Sequence, residues 1–189
     1  MLKASALLEL ERPLLASFES DPKGRRVADI LGAYARAHAD WRDFALFEAG
    51  SYTRNLVTRN TWFEMLLLCW SPGQESPIHN HAGQNCWMAV LEGDIEEQQF
   101  DCPPESSPPA SSVCSLVLRG TKTFAAGKVA FINDDIGLHR VRPRAGTAGV
   151  SLHVYSRPID TCNVYDQETG AVVVRRLEYH SVRGSRVGG

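Results

Sequence analysis

Gly73-Gln74-Glu75-Ser76-Pro77-Ile78-His79-Asn80-His81-Ala82-Gly83-Gln84-Asn85-Cys86-Trp87-Met88-Ala89-Val90-Leu91-Glu92-Gly93 is the stretch on which the fold turns. Its second half, Cys86 to Leu91, is an apolar run of strand length, and Gly93 marks a turn after it. In its first half a single residue separates His79 from His81. Side chains alternate between the faces of a strand, so if both lie on a strand the two imidazoles share a face and can meet one metal. Working outward from about Ser51, further apolar segments predict strands at Trp62 to Trp70, Ile95 to Phe100, Val113 to Leu118, Lys128 to Ile132, Val150 to Tyr155 and Val172 to Leu177. Gly, Pro, Asn and Asp turns separate them at the spacing of an antiparallel sandwich or barrel.

The chain before Ser51 reads differently. Leu7, Leu8, Leu14 and Leu15, then Val27, Ile30, Leu31 and Tyr34, cluster at helical spacing and predict two or three helices across residues 3 to 45. Ser20-Asp21-Pro22 supplies capping and start residues for the next of these helices. Pro103 to Ser112 reads as an exposed loop, Arg142 to Gly149 as a turn, and Arg183 to Gly189 as a frayed tail. The expected organisation is one domain, with a helical cap over 1–45, a closed or nearly closed β unit over about 46–182, and a flexible tail over 183–189.

A length of 189 residues suits one domain with a sizeable core. Hydrophobic residues at 43% and charged residues at 22% exclude disordered and fibrous classes. Twenty basic against 22 acidic residues argue against a general nucleic-acid binder. Glu9, Glu11 and Arg12 interrupt any signal-peptide core, and no apolar run is long enough to span a bilayer. The five cysteines lack paired spacing and a chain of this size does not need disulfides, so a reducing cytoplasm is expected. Cys69 reads as core, Cys102 and Cys114 as incidental, and His38 and His180 as surface or structural residues.

The spacing of Gly73, His79, His81, Cys86 and Gly93 resembles the first motif of the cupin barrel, with Cys86 where that motif has Glu. Gly127 through Asn133, Asp134, Asp135 and His139 resembles the second motif with one additional residue before the histidine. The resemblance implies an all-β cupin barrel, a small β-sandwich or jelly roll, under the helical cap, with His139 as third ligand. Three neutral imidazoles leave positions open for substrate and dioxygen on Fe(II). Glu75, Asp134 and Asp135 are the alternative carboxylate donors, although turn and solvated roles suit them better.

Five further segments extend the likeness: Tyr52 to Val57, Leu68-Cys69-Trp70, Ile78 to His81, Phe131 to Val141 and Ser151 to Ser156. In this order, within about 45–170, they resemble the thiol dioxygenases, in particular the cysteine dioxygenases of eukaryotic type. The resemblance implies oxidation of L-cysteine by O2 to L-cysteine sulfinic acid, a place in cysteine catabolism and taurine biosynthesis, and a monomer. It makes His79, His81 and His139 the iron ligands and Arg54 the holder of the substrate carboxylate, for which a guanidinium fork is suited. It also implies that Tyr52 completes the pocket, that Tyr155 is the active-site tyrosine joined to Cys86 by a thioether, and that Ser151 and His153 orient its hydroxyl. Cys162 corresponds to a cysteine near the pocket entrance, and Trp87 or Met88 shapes an apolar wall. Ser151, His153 and Tyr155 alternate along one predicted strand and so can face one cavity. Three alternatives stand beside this reading: a dioxygenase of 3-mercaptopropionate or another small thiol, a non-catalytic metal- or ligand-binding cupin, and a zinc hydrolase built on the three histidines.

Overall fold

Period-two alternation decides which side chains meet. The computed structural model describes residues 5–103 and 113–188. Its strands, in chain order, are β1 (Thr53–Arg59), β2 (Glu64–Trp70), β3 (Ile78–His79), β4 (Cys86–Glu92), β5 (Asp94–Asp101), β6 (Val117–Ala125), β7 (Val129–Ile132), β8 (Leu138–Pro143), β9 (Gly149–Tyr155), β10 (Thr161–Tyr165), β11 (Val172–Arg176), β12 (Ser181–Val182) and β13 (Ser185–Arg186). They form a seven-stranded sheet, β13-β12-β1-β2-β9-β4-β7, and a six-stranded sheet, β11-β10-β3-β8-β5-β6.

The two sheets make a cupin β-sandwich under the helical cap, the sandwich form of the fold expected from sequence, without full closure into a barrel. Residues of the larger sheet alternate between two cores. Met65, Leu67 and Cys69 of β2, Trp87, Ala89 and Leu91 of β4, and Val150, Leu152 and Val154 of β9 belong to the core shared with the helices. Leu66, Leu68, Trp70, Cys86, Met88, Val90 and Tyr155 belong to the other, between the sheets. β2 and β9 are therefore buried along their whole length.

The cap consists of α1 (Ala6–Glu9), α2 (Glu11–Ser20), α3 (Val27–Ala37) and a 3-10 turn at Asp40–Phe44. Leu7, Leu14, Phe18 and Leu31 are its buried stripe, and Phe18 packs 5.7 Å from Phe63 and 5.9 Å from Trp87. Trp87 thus serves the cap, leaving Met88 to the inner core. Gly24 lies beneath that cluster with φ 66°, and a Cβ there would stand 2.7 Å from the Trp87 ring. Asp21 does not start a helix as the sequence suggested. Its carboxylate accepts from the Lys23 and Arg25 N–H groups and closes a turn, and α3 begins only at Val27.

Three other expectations give way. The strand placed at Val113 to Leu118 lies at Val117–Ala125, where polar Arg119, Thr121 and Lys122 lie on an exposed edge and erase the apolar signal; Val113 makes only a bridge to Ala171. The loop expected at Pro103 to Ser112 falls largely outside the described residues. The supposed tail contains β13, whose Arg186 pairs with Glu48. Finally, Cys102 and Cys114 are joined as a disulfide, with their Cα atoms 5.8 Å apart, so the reading of incidental cysteines is corrected. No helix among the described residues is long and apolar enough to cross a membrane.

Candidate metal centre

β3 pairs with β8 so that His79 lies directly opposite His139, and His81 follows two residues beyond His79. One ligand atom from each of the three lies within 4.8 Å of the others. The outer nitrogens show which way the rings point. His79 Nδ1 lies 2.9 Å from the Pro77 carbonyl and His139 Nδ1 lies 2.8 Å from Glu97 Oε1. Both partners are acceptors, which assigns the ring hydrogens to Nδ1 and leaves the Nε2 lone pairs free.

His81 Nε2 and His139 Nε2 are 3.1 Å apart. Two nitrogens bound to one ion at about 2.1 Å, with an angle near 90° to 110°, are separated by about 3.0 to 3.4 Å, so the rings fit a shared metal. His81 Nδ1 is buried without a hydrogen-bond partner within normal distance among the described residues, and the Asp134 carboxylate stands 3.6 Å from it. Burial, with the charge of His81, holds His79 down to about 3, and burial with the neighbouring imidazoles holds His139 well below its usual value. His79 and His139 thus fit the neutral ligand form that a metal requires.

The carboxylates considered as alternative donors are engaged elsewhere. Glu75 pairs with Arg140 at 3.1 Å and Arg142 at 3.6 Å. Asp134 accepts from the backbone N–H of His81 at 2.6 Å and of Gly83 at 2.7 Å. It thereby fixes a turn in which Ala82 has φ 50°, a left-handed conformation that costs a residue with a Cβ. Asp134 is thus a positioning residue for His81. Asp135 is exposed.

Behind His139 stands Glu97, buried on β5, with Gln99 Nε2 donating to its other oxygen at 3.0 Å. Such a carboxylate fixes the ring and raises its basicity toward a metal. Burial pushes the Glu97 carboxyl above the usual range. The sequence reading passed over this residue. Its signal was the alternation that places Ile95 and Glu97 inward on one strand, two positions from Gln99, which pairs with His139.

A small cavity opens beside the histidines, lined by Tyr52, Arg54, His79, His81, Tyr155 and Cys162 among others. Arg54 is 7% exposed, and its Nε and Nη2 have no partner among the described residues. Burial opposes its charge, while Tyr155, Tyr52 and Glu64 favour it, so the cavity wall carries an uncompleted guanidinium fork. Tyr52 stacks on Trp70 with ring centroids 4.6 Å apart. His180 accepts from the Arg54 N–H at 3.2 Å and anchors the strand below, a structural role as its sequence context suggested.

On β9, Ser151, His153 and Tyr155 point inward together with Cys86. Trp70 Nε1 donates to Ser151 Oγ at 3.0 Å, and Ser151 Oγ lies 3.0 Å from His153 Nε2. The indole can only donate, which leaves the hydroxyl hydrogen available to Nε2; in that tautomer the His153 hydrogen sits on Nδ1, facing Cys86 Sγ at 3.8 Å. Burial, helped by Arg54, holds His153 down to about 3. Cys86 pairs in register with Tyr155, and burial raises both groups well above their usual values.

The profile of cysteine dioxygenase type I matches residues 1–168 of the chain. The chain belongs to the cysteine dioxygenase family. Curated relatives named cysteine dioxygenase type 1 are 37% identical in Rattus norvegicus, 36% in Homo sapiens and 34% in Danio rerio, each over 98% of this chain and 92% of the relative. Among solved structures, a Thermus thermophilus protein superposes with a TM-score of 0.50 at 20% identity, covering 64% of this chain and 98% of that one, which shows the fold alone.

In this member of the cysteine dioxygenase family, Tyr52, Arg54, His79, His81, Tyr155 and Cys162 line one cavity, His139 converges on His79 and His81, and Cys86, Ser151 and His153 lie beside Tyr155 on the inner face of the larger sheet. The supporting residues Glu97, Gln99, Asp134 and Trp70 complete the site.

Proposed function

We propose that the protein oxidises L-cysteine with O2 to L-cysteine sulfinic acid as a single chain, using Fe(II) held by His79, His81 and His139. The observation that carries this reading is the buried Arg54 fork, unpartnered among the described residues, in a cavity beside three converging imidazoles. Fe(II), when bound, supplies electron exchange with dioxygen and open positions for a thiol substrate.

The chain's own residues do the rest. Arg54 takes the substrate carboxylate in a bidentate pair, and Tyr52 and Cys162 wall the pocket around it. Tyr155, kept protonated by its burial, offers a hydroxyl donor toward the reacting sulfur. Ser151 and His153 hold the wall on which Tyr155 and Cys86 stand, and a thioether between those two residues would fix the phenol in place. The cavity is largely closed to water, which strengthens each of these polar contacts. Both oxygen atoms of O2 enter the sulfinate, so the reaction balances without an external reductant.

The test is oxygen uptake by Fe(II)-loaded protein with L-cysteine, with sulfinate measured in the same sample. One O2 consumed per sulfinate formed is the expected result. Iron-loaded protein that shows no thiol-dependent uptake would instead be a ligand-binding cupin, and hydrolytic activity restored by zinc would make it a hydrolase.

A further inference from the structure

A second guanidinium reaches the cavity. Arg175 lies on β11 directly opposite Cys162 on β10. Directly opposed side chains project to the same face, so Arg175 lines the cavity beside Cys162 while remaining exposed at its mouth. On its outer side it also lines a more open vestibule with Arg54, Arg176, Glu178 and His180, where three guanidinium groups outnumber one carboxylate. No carboxylate lines the inner cavity.

Arg175 makes no ion pair or side-chain hydrogen bond among the described residues. Arg42, Arg59, Arg119, Arg140, Arg142 and Arg144 on the sandwich each face a carboxylate, whereas Arg175 and its neighbour Arg176 face none within ion-pair distance among the described residues. The charge of Arg175 is nonetheless felt inside. Burial raises the Tyr52 phenol and the Cys162 thiol, and Arg54 and Arg175 both pull them back. Two guanidinium groups sharing one cavity repel each other until an anion enters. A cleft lined by one sign of charge concentrates the opposite sign, and salt weakens the effect.

We propose that Arg175 is the outer cation of a two-step anion path ending at Arg54, and that it sets the charge selectivity of the site toward small thiols. This rests on the thiol dioxygenase reading and deepens it. At neutral pH cysteamine is a cation, L-cysteine a zwitterion and 3-mercaptopropionate an anion. The entrance favours them in the reverse of that order, so 3-mercaptopropionate is the thiol whose capture depends most on Arg175.

The test compares kcat/KM for the three thiols in wild type, Arg175→Ala and Arg175→Lys at low and raised salt. For Arg175→Ala the expected fall is about fivefold with 3-mercaptopropionate, about twofold with L-cysteine and none with cysteamine, the differences closing at high salt. Arg175→Lys retains the charge order. An equal fall for all three thiols, no fall at all, or a lysine variant that behaves like alanine overturns the proposal. Anaerobic calorimetric titration of the iron-loaded protein with 3-mercaptopropionate separates it from the dioxygenase assignment. Wild type that binds this anion but consumes no O2 with any of the three thiols sinks the assignment alone, while weaker binding by Arg175→Ala still upholds the selectivity role. Equal binding by the two proteins overturns that role whatever the turnover.

Discussion

Glu97 offers the sharpest test of how this centre is held. Its carboxylate lies 2.8 Å from His139 Nδ1, and both side chains are 2% exposed, so no solvent can replace it. Glu97→Ala leaves a buried ring N–H without an acceptor, which costs about 1 to 3 kcal/mol. Because the His139 ring is then free to turn away, the loss is expected in metal binding as well, about 100-fold, the upper end for such supporting carboxylates. Glu97→Gln keeps an oxygen for the ring but removes the charge and sets its amide against the Gln99 donor. About tenfold weaker binding is expected there. Competition against a chromogenic Fe(II) chelator under anaerobic conditions measures both losses, and thermal unfolding of the metal-free proteins reports whether the fold survives. If both variants bound Fe(II) within about twofold of wild type, the carboxylate would not be orienting His139 and the argument would fail.

Arg54→Ala should lower kcat/KM for L-cysteine by about 100-fold or more, because a buried charge-assisted pair is lost, and should leave cysteamine, which has no carboxylate, nearly unaffected; equal losses would reject the clamp. His153 is neutral in the fold at about 3 and titrates near 6.5 once unfolded, so falling pH protonates only the unfolded chain. Stability present above about 6.5 is therefore lost progressively down to about 3, at about 1.4 kcal/mol per pH unit for this group, and His153→Gln should reduce the measured slope by one proton. Peptide mass analysis after many turnovers should find the Cys86 and Tyr155 peptides joined with the loss of two hydrogens, and Cys86→Ser should abolish the joined species; two separate, unmodified peptides would reject the crosslink.

Much of the site was legible because its signals are local. The alternation of Ser151, His153 and Tyr155 fixes a shared face from strand geometry alone, whereas the close spacing of His79 and His81 marks a ligand pair although β3 ends at His79 and the turn held by Asp134 places His81. The remainder depends on partners far away in the chain. Glu97 hides in an acidic, glutamine-rich run that reads as solvated, and only its pairing with β8 turns it toward His139. Asp134 resembles a loop residue until it is seen bridging the N–H groups of His81 and Gly83, more than 50 positions earlier. The edge strand β6 has no buried face to impose a pattern, so its boundaries could not be read from hydrophobicity.

The pairing of β12 with β1 carries a consequence for how the protein is made. Asn55 lies beside Ser181, and their side chains bond across 126 positions of sequence. The strand that carries Arg54 therefore keeps one edge open until a segment far downstream arrives. Contacts of such separation are slow to form and come late in folding. During synthesis the helices and most of the inner strands can gather while the substrate clamp is still missing its flank. Competence to hold a carboxylate thus becomes a property of the nearly finished chain, and a truncated product would carry the three histidines without a firmly seated arginine to serve them.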